Sequence, residues 1–312
     1  MLKSHRGEIL LISAAILFAA NGIISKVAMS SVNQGLSAWQ MTQIRATGAF
    51  LILLTYFLIF KRDQIRVTRE EVPQLIAFGV IGIAIVQSFY FFAIGRMNVS
   101  TALIIEFTAP IWILIYLKFI AKREVSSSMW ISLALCFGGL LLIAQIWKGF
   151  TLDKWGVAAA FADAFALAFY FLMGEKLGKK LSSGVIILWG LGVASVVWAL
   201  LFPWWNFPFA YLNSKSDLLG RFSGQQISGY WLILFIVVVG TILPYLFCIG
   251  GLMLLSASTT SVIGMLEPIF AGIFAWWWLS EGFNAIQLIG CVTVFIGIYL
   301  ADKARYAVGA TK

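Results

Sequence analysis

Ten stretches of about twenty mostly apolar residues follow one another along the chain, each closed by a short polar or charged segment. Twenty residues of α-helix rise about 30 Å, the thickness of a bilayer's hydrocarbon core. Each stretch therefore predicts one membrane-crossing helix. The predicted helices run from Glu8 to Ser30, Ala38 to Phe60, Val72 to Ile94, Val99 to Ala121, Ser128 to Trp147, Lys154 to Lys176, Ser183 to Phe202, Ser228 to Gly250, Ser256 to Leu279 and Asn284 to Ala301. The longest connection, Pro203 to Ile227, opens with Trp204, Trp205, Phe207, Phe209 and Tyr211 and turns polar from Asn213 to Asp217. Its rings suit the headgroup level, so it reads as an interfacial segment followed by an exposed outer loop.

The pattern is written twice. A proline lies deep in an apolar run in Ala109-Pro110-Ile111-Trp112 and again, 158 residues on, in Glu267-Pro268-Ile269-Phe270. Each has a Ser-Thr pair ten residues upstream, Ser100-Thr101 and Ser258-Thr259. Repeats of this kind are the trace of carriers built from two related bundles with substrate held between them. The expected division is 1–149 and 150–312. Five helices per copy, an odd number, would set the second copy upside down relative to the first. Pro110, Pro268 and Pro244, each inside a helical run, are expected to shape their helices.

Composition narrows the class. Charged residues are 11% of the chain and hydrophobic ones 61%, against roughly 25% charged in a soluble domain. The net charge of +9 would suggest nucleic acid in a soluble protein. Here it reports orientation, because cytoplasmic loops of membrane proteins collect Lys and Arg. With both termini cytoplasmic, that side holds pairs such as Lys61-Arg62, Lys122-Arg123 and Lys179-Lys180, besides Lys3, Arg6 and Lys312. The other side holds only Lys26, Arg96, Lys148, Lys154, Lys215 and Arg221. Lys3 and Arg6 before an apolar run resemble a secretory signal, but the run is longer than a signal core and reads as an uncleaved first helix. Cys136, Cys248 and Cys291 fall inside helices, which argues against a disulfide framework or a Cys-based metal site.

Arg45, Glu106, Asp163 and Glu267 stand well inside the predicted spans, each at a cost of about 2.5–3.5 kcal/mol on insertion scales. Such residues face a bundle interior or a watery cavity and mark pathways or paired structural sites. Tyr170 lies two turns from Asp163 on one face, and Glu267 shares a face with Thr260, Gly264 and Ala271. Asn21 with Ser25, Gln87 with Tyr90, and Tyr245 add polar handles to an apolar cavity, the usual make-up of a small-molecule site. A structural reading stands beside this one. Arg45 with Glu106 or Glu267 would be a buried ion pair, and Asn21, Gln87 and Tyr90 would bond across helices. Three carboxylates against one arginine suggest a site for a proton or an amine. Trp276-Trp277-Trp278 tempts a reading as an aromatic cage, but successive helical residues point about 100° apart; an interfacial anchor fits better. Gly138-Gly139, Gly290 and Gly297 read as small residues at helix contacts.

Leu266-Glu267-Pro268, Ser280-Glu281-Gly282, Gln287, Gly290 and Gly297-Ile298-Tyr299-Leu300 together resemble the closing half of an EamA repeat, from the drug/metabolite transporter superfamily. Pro110, Glu124 and Gly138-Gly139 fit the same pattern more loosely in the first copy. The resemblance implies an all-α integral membrane protein of two inverted five-helix repeats in the cytoplasmic membrane. It implies export of amino acids, other metabolites or drugs through a central cavity, with functional weight on the third, fourth, eighth and ninth helices. Two departures make the copies unequal. Ala109 stands where the second copy has Glu267, and Arg45 aligns, from Ser37 and Ser183, with Leu191.

The expectation is thus a proton-exchanging exporter acting on a small organic solute in a lipid bilayer, with no cofactor, metal or nucleic acid. Glu267 and Glu106 serve as cavity or coupling carboxylates, Arg45 as their partner or a substrate-carboxylate clamp, and Asp163 as a second acid; Asn21, Gln87, Tyr90, Tyr170 and Tyr245 orient substrate. The rival substrate class is a nucleotide sugar or phosphorylated sugar, whose phosphates need several cationic side chains; only Arg45 and Lys26 are candidates. An integral-membrane enzyme is a further rival, limited to carboxylate chemistry because His5 is the only histidine. A passive channel or scaffold is the last.

Overall fold

The computed structural model describes residues 5–30, 32, 35–97, 99–145, 147, 153–280, 282 and 284–309. Lys3, Lys148, Lys312, Glu281 and the expected boundary at 149–150 lie outside the described residues, as does the side chain of Ser100. Among the described residues ten helices are long and apolar enough to cross a membrane. They are α1 (Arg6–Ala28), α2 (Ala38–Phe60), α3 (Val72–Ala93), α4 (Thr101–Ile120), α5 (Ser127–Ala144), α6 (Lys154–Gly178), α7 (Ser183–Leu201), α8 (Gly229–Leu254), α9 (Ala257–Leu279) and α10 (Ala285–Lys303).

Polar residues at the run boundaries start these helices. Ser37 and Gln40 form a reciprocal capping box on α2. Ser126, Asp153 and Ser256 each accept a backbone N–H at the head of α5, α6 and α9, and Asn284 and Gln287 bond reciprocally at the head of α10. Each cap satisfies an N–H that the first turn leaves without a partner. Ser182 stands at the N-cap of α7, so α2 and α7 align from Ser37 and Ser182, one residue away from the sequence alignment. The counterpart of Arg45 is Gly190, not Leu191.

Four helices are irregular, in two related pairs. α4 breaks at Phe107–Thr108 and α9 at Met265–Leu266, positions 158 residues apart. The same tight bonds span both breaks: Thr108 N–H to Ile105 C=O and Ile111 N–H to Thr108 C=O in one, Leu266 N–H to Ile263 C=O and Ile269 N–H to Leu266 C=O in the other. Pro110 and Pro268 open the second half of each helix, and a proline cannot donate to the carbonyl four residues before it. α3 carries a π-helical stretch at Phe78–Ile85 and α8 one at Val238–Ile242; the second ends just before Pro244. These breaks interrupt the face that Glu267 was expected to share with Thr260 and Gly264.

The two copies are not two separate bundles. α1 packs against α8 and α9 of the second copy, and α6 packs against α3 and α4 of the first. Each copy thus lends its first helix to the other, while α2 pairs with α7, and α5 with α10 along most of its length. Two contacts join residues to their own equivalents 158 positions away: Gln87 to Tyr245, and the Cys136 thiol to the Val294 carbonyl. A residue that meets its equivalent lies on the axis relating the copies, so the axis runs through both contacts. At the α5–α10 crossing a Cβ on Gly139 would come within 2.7 Å of the Gly290 carbonyl, and one on Gly297 within 2.5 Å of the Cys136 sulfur. Side-chain-free positions are what allow that approach. Gly138, by contrast, has no neighbour there and does not serve the contact.

α6 is also tied at both ends to the segments flanking α4. Arg96 lies 3.6 Å from Asp153 at one end. At the other, Glu175 accepts 2.8 Å from Arg123 and 2.7 Å from the backbone N–H of Ala257 at the head of α9. The long connection after α7 holds three short 3₁₀ turns, the third inside an antiparallel hairpin of Lys215–Asp217 with Gln226–Ser228. The hairpin was not expected, because three-residue strands leave no readable alternation.

Candidate functional site

The irregular helices bring the predicted polar residues together. Glu267 is the first residue of the second half of α9; Glu106 is the last residue of the first half of α4. The two carboxylates are electrostatic neighbours across the bundle, and Asp163 on α6 neighbours Glu106. Tyr90 lies within reach of the charge on all three acids. Arg45 on α2 neighbours Glu267 and Tyr245. Glu106, Glu267, Arg45, Tyr90 and Tyr245 are only half-buried although they lie mid-span with neighbours on several helices. The surface they keep is therefore that of an internal cavity.

The expected ion pair is not formed. Arg45 has no carboxylate oxygen within 4.0 Å among the described residues; its Nε donates to Thr241 Oγ1 at 3.2 Å. Thr241 in turn donates to the Ile236 carbonyl at 2.8 Å, five residues back across the π-helical stretch of α8. The extra residue of that turn aims Thr241 at Arg45 and sets the guanidinium beside Glu267 without engaging it. Thr241 was missed in the sequence, although a threonine three residues before Pro244 in an apolar run was a legible signal.

Asp163 is 1% exposed, and neither of its oxygens has a hydrogen-bond partner among the described residues. One oxygen of Glu106 is buried in the same condition. Buried acids without partners are costly and mark sites where a proton or ligand does the satisfying.

Aromatic residues close the cluster on the axis side. Gln87 Nε2 donates to the Tyr245 hydroxyl at 3.2 Å. Tyr245 meets Phe18 edge-on at 5.3 Å and Tyr170 at 6.1 Å between centroids. Tyr170 stacks on Phe78 at 5.1 Å, lies against Gly82 of the α3 π-helical stretch, and places its hydroxyl beside the Cys248 thiol. Cys248, which its helical position seemed to dismiss, is thus part of the wall. Asn21 is not at the charge cluster itself. It is buried against Gly240, where any Cβ would collide with its side chain, and accepts from Ser25 at 3.4 Å. Lys26 is exposed in the last turn of α1, so Arg45 is the one cation of the cluster among the described residues. The arrangement can hold a solute with positive and negative groups together, or exchange protons at unpaired acids.

The tryptophans do not all point apart: Trp277 and Trp278 both line one apolar cavity. Trp276 and Trp277 are half exposed, and Trp278 donates to the Leu218 carbonyl at 2.8 Å.

Comparison with known proteins agrees with this architecture. The sequence model of the EamA-like transporter family matches residues 5–145 and again 154–301. The uncharacterized inner membrane transporter YicL of Salmonella typhimurium is 22% identical over 315 residues, covering 98% of each chain. The pseudopaline exporter CntI of Pseudomonas aeruginosa is 23% identical over 314 residues, again covering 98% of each. A crystallographically solved chain superposes with a TM-score of 0.76 at 14% identity, over 96% of this chain and 98% of the other; it shares the fold.

Proposed function

This chain belongs to the EamA-like transporter family, and from that premise we propose that it exports a small amine-bearing organic solute across the cytoplasmic membrane in exchange for protons. Amino acids, related metabolites and amphipathic drugs are the substrate classes. The observation that carries this reading is the run of neighbouring acids Asp163, Glu106 and Glu267, with Arg45 beside the last of them as the one cation among the described residues, at the depth where α4 and α9 break. An ammonium group finds the half-buried Glu267 carboxylate, a proton finds the under-partnered acids Glu106 and Asp163, and a carboxylate finds Arg45, whose guanidinium has no acid in contact among the described residues. A phosphorylated ligand would face three acids and one cation, which disfavours it. The name of the Pseudomonas relative supports export as the direction, and that of the Salmonella relative supports the inner membrane. Both termini are cytoplasmic, on the Lys and Arg asymmetry of the loops.

Alternating access follows from rocking about the axis through Gln87–Tyr245 and Cys136–Val294. The moving bodies are α1 with α8 and α9, and α6 with α3 and α4, rather than the two halves of the sequence. In proteoliposomes loaded with candidate amines, an imposed pH gradient should accelerate saturable efflux. Flux indifferent to the gradient removes proton exchange, and flux that never saturates removes the carrier reading.

A further inference from the structure

A second cavity, of about 670 Å³, lies away from the charged cluster. Its walls come from α1, α8 and α9, through residues such as Ala20, Ile24, Phe235, Val239, Phe274 and Trp277. None of the residues assigned above to substrate or proton lines it. Its roof is built in place by the connection after α7. Trp278 donates to the Leu218 carbonyl, Phe222 meets Trp278 at 4.9 Å and Trp277 at 5.7 Å, and Leu218 and Ile227 reach into the cavity from above.

Depth and charge identify the occupant. Along α8 the lining runs from Trp231 to Val239, about 12 Å at 1.5 Å per residue. One leaflet, half of a roughly 30 Å hydrocarbon core, is of similar depth. The wall is apolar throughout, as an acyl chain requires. At the roofed end stand Lys215 in the hairpin and Arg221, whose guanidinium lies 5.5 Å from the Trp276 ring. Against them stands Asp217, which accepts the backbone N–H groups of Leu219 and Gly224; Glu281 lies outside the described residues. Cations at headgroup level above an apolar slot one leaflet deep fit an anionic phospholipid.

We infer that this cavity is a binding site for one acyl chain of an anionic phospholipid from the leaflet opposite the chain termini, with its phosphate toward Arg221. The inner end of the site is the π-helical stretch of α8. Val238 and Val239 line the cavity, and the next two residues, Gly240 and Thr241, touch Asn21 and hold Arg45. A bound chain thus rests on the turn that positions the cation of the cluster.

The test uses the full chain in phosphatidylcholine nanodiscs containing a minor fraction of phosphatidylglycerol with a photoactivatable acyl chain, the cross-links being mapped by mass spectrometry. Labelling should concentrate on Phe235, Val239 and Phe274 over the lipid-facing Leu51 and Leu58 of α2. Ala20→Phe should lower cavity labelling about tenfold, the factor that follows from 1.4 kcal/mol, without changing labelling of α2. Arg221→Glu, at an exposed position, should lower the preference for phosphatidylglycerol over labelled phosphatidylcholine about fivefold. Uniform labelling of all lipid-facing helices overturns the proposal. So does cavity labelling unchanged by both variants.

Discussion

The two halves of the central site share a backbone and differ in chemistry. α4 and α9 break at positions 158 residues apart, with the same tight hydrogen bonds and a proline opening the second half of each. Yet the acids sit on opposite sides of the break. Glu267 begins a helical half, where the positive end of the helix dipole favours an anion; Glu106 ends one, where the dipole opposes it. Glu267 also has Arg45 beside it, whereas Glu106 has Asp163. One wall is thus charge-balanced and the other acid-rich, and on the proposed function the first would serve substrate and the second protons. An inverted repeat conserves the hinge geometry of both walls and leaves each free to carry a different task.

The comparison can be broken most directly at Arg45. Arg45→Ala removes the charge beside Glu267 and the donor to Thr241; we expect about 2 kcal/mol lost with that charge-assisted hydrogen bond, seen as a lower melting temperature and roughly hundredfold slower efflux at matched expression. Intact flux and melting would erase the balanced wall. Next in size, Glu267→Gln should keep the fold and weaken substrate binding about tenfold, measured as a raised half-saturation concentration. Glu106→Gln should act on the other wall. Relief of like charge beside Asp163 should raise stability by about 1 kcal/mol, while efflux should lose its acceleration by a pH gradient. If the two glutamine variants behave alike, the division of tasks is wrong. The smallest effect belongs to Thr108→Leu, which gives the first break the residue of the second. Thr108 donates to the Ile105 carbonyl and accepts from the Trp112 indole, so about 1 kcal/mol of stability should go with little change in flux.

Much of this was legible in the chain. The ten spans followed from run length, because a bilayer core fixes how many apolar residues a helix must have. The breaks in α4 and α9 were announced by Pro110 and Pro268, whose missing N–H makes a continuous helix impossible without cost. Arg45, Glu106, Asp163 and Glu267 stood out because charge inside a membrane span is rare. The partner of Arg45 was not legible. A sequence offers Glu106 and Glu267 as ion-pair partners on charge alone, whereas the π-helical stretch of α8 turned Thr241 toward the guanidinium and held it from the acids. Cys248 and the apolar cavity beneath the roofing loop were likewise invisible, since an apolar residue in an apolar run gives no sign of which wall it joins.

By itself the sequence determined the number of spans, the repeat, the inversion and the set of charges that must face inward, because these depend on local polarity, length and spacing. The tertiary structure decided that α1 and α6 exchange bundles, that Gln87 and Tyr245 meet on the axis, and which acid lies beside Arg45. Those facts depend on how helices from distant parts of the chain cross. In lipid, where every helix is apolar outside, no hydrophobic stripe in the sequence records which neighbours will meet.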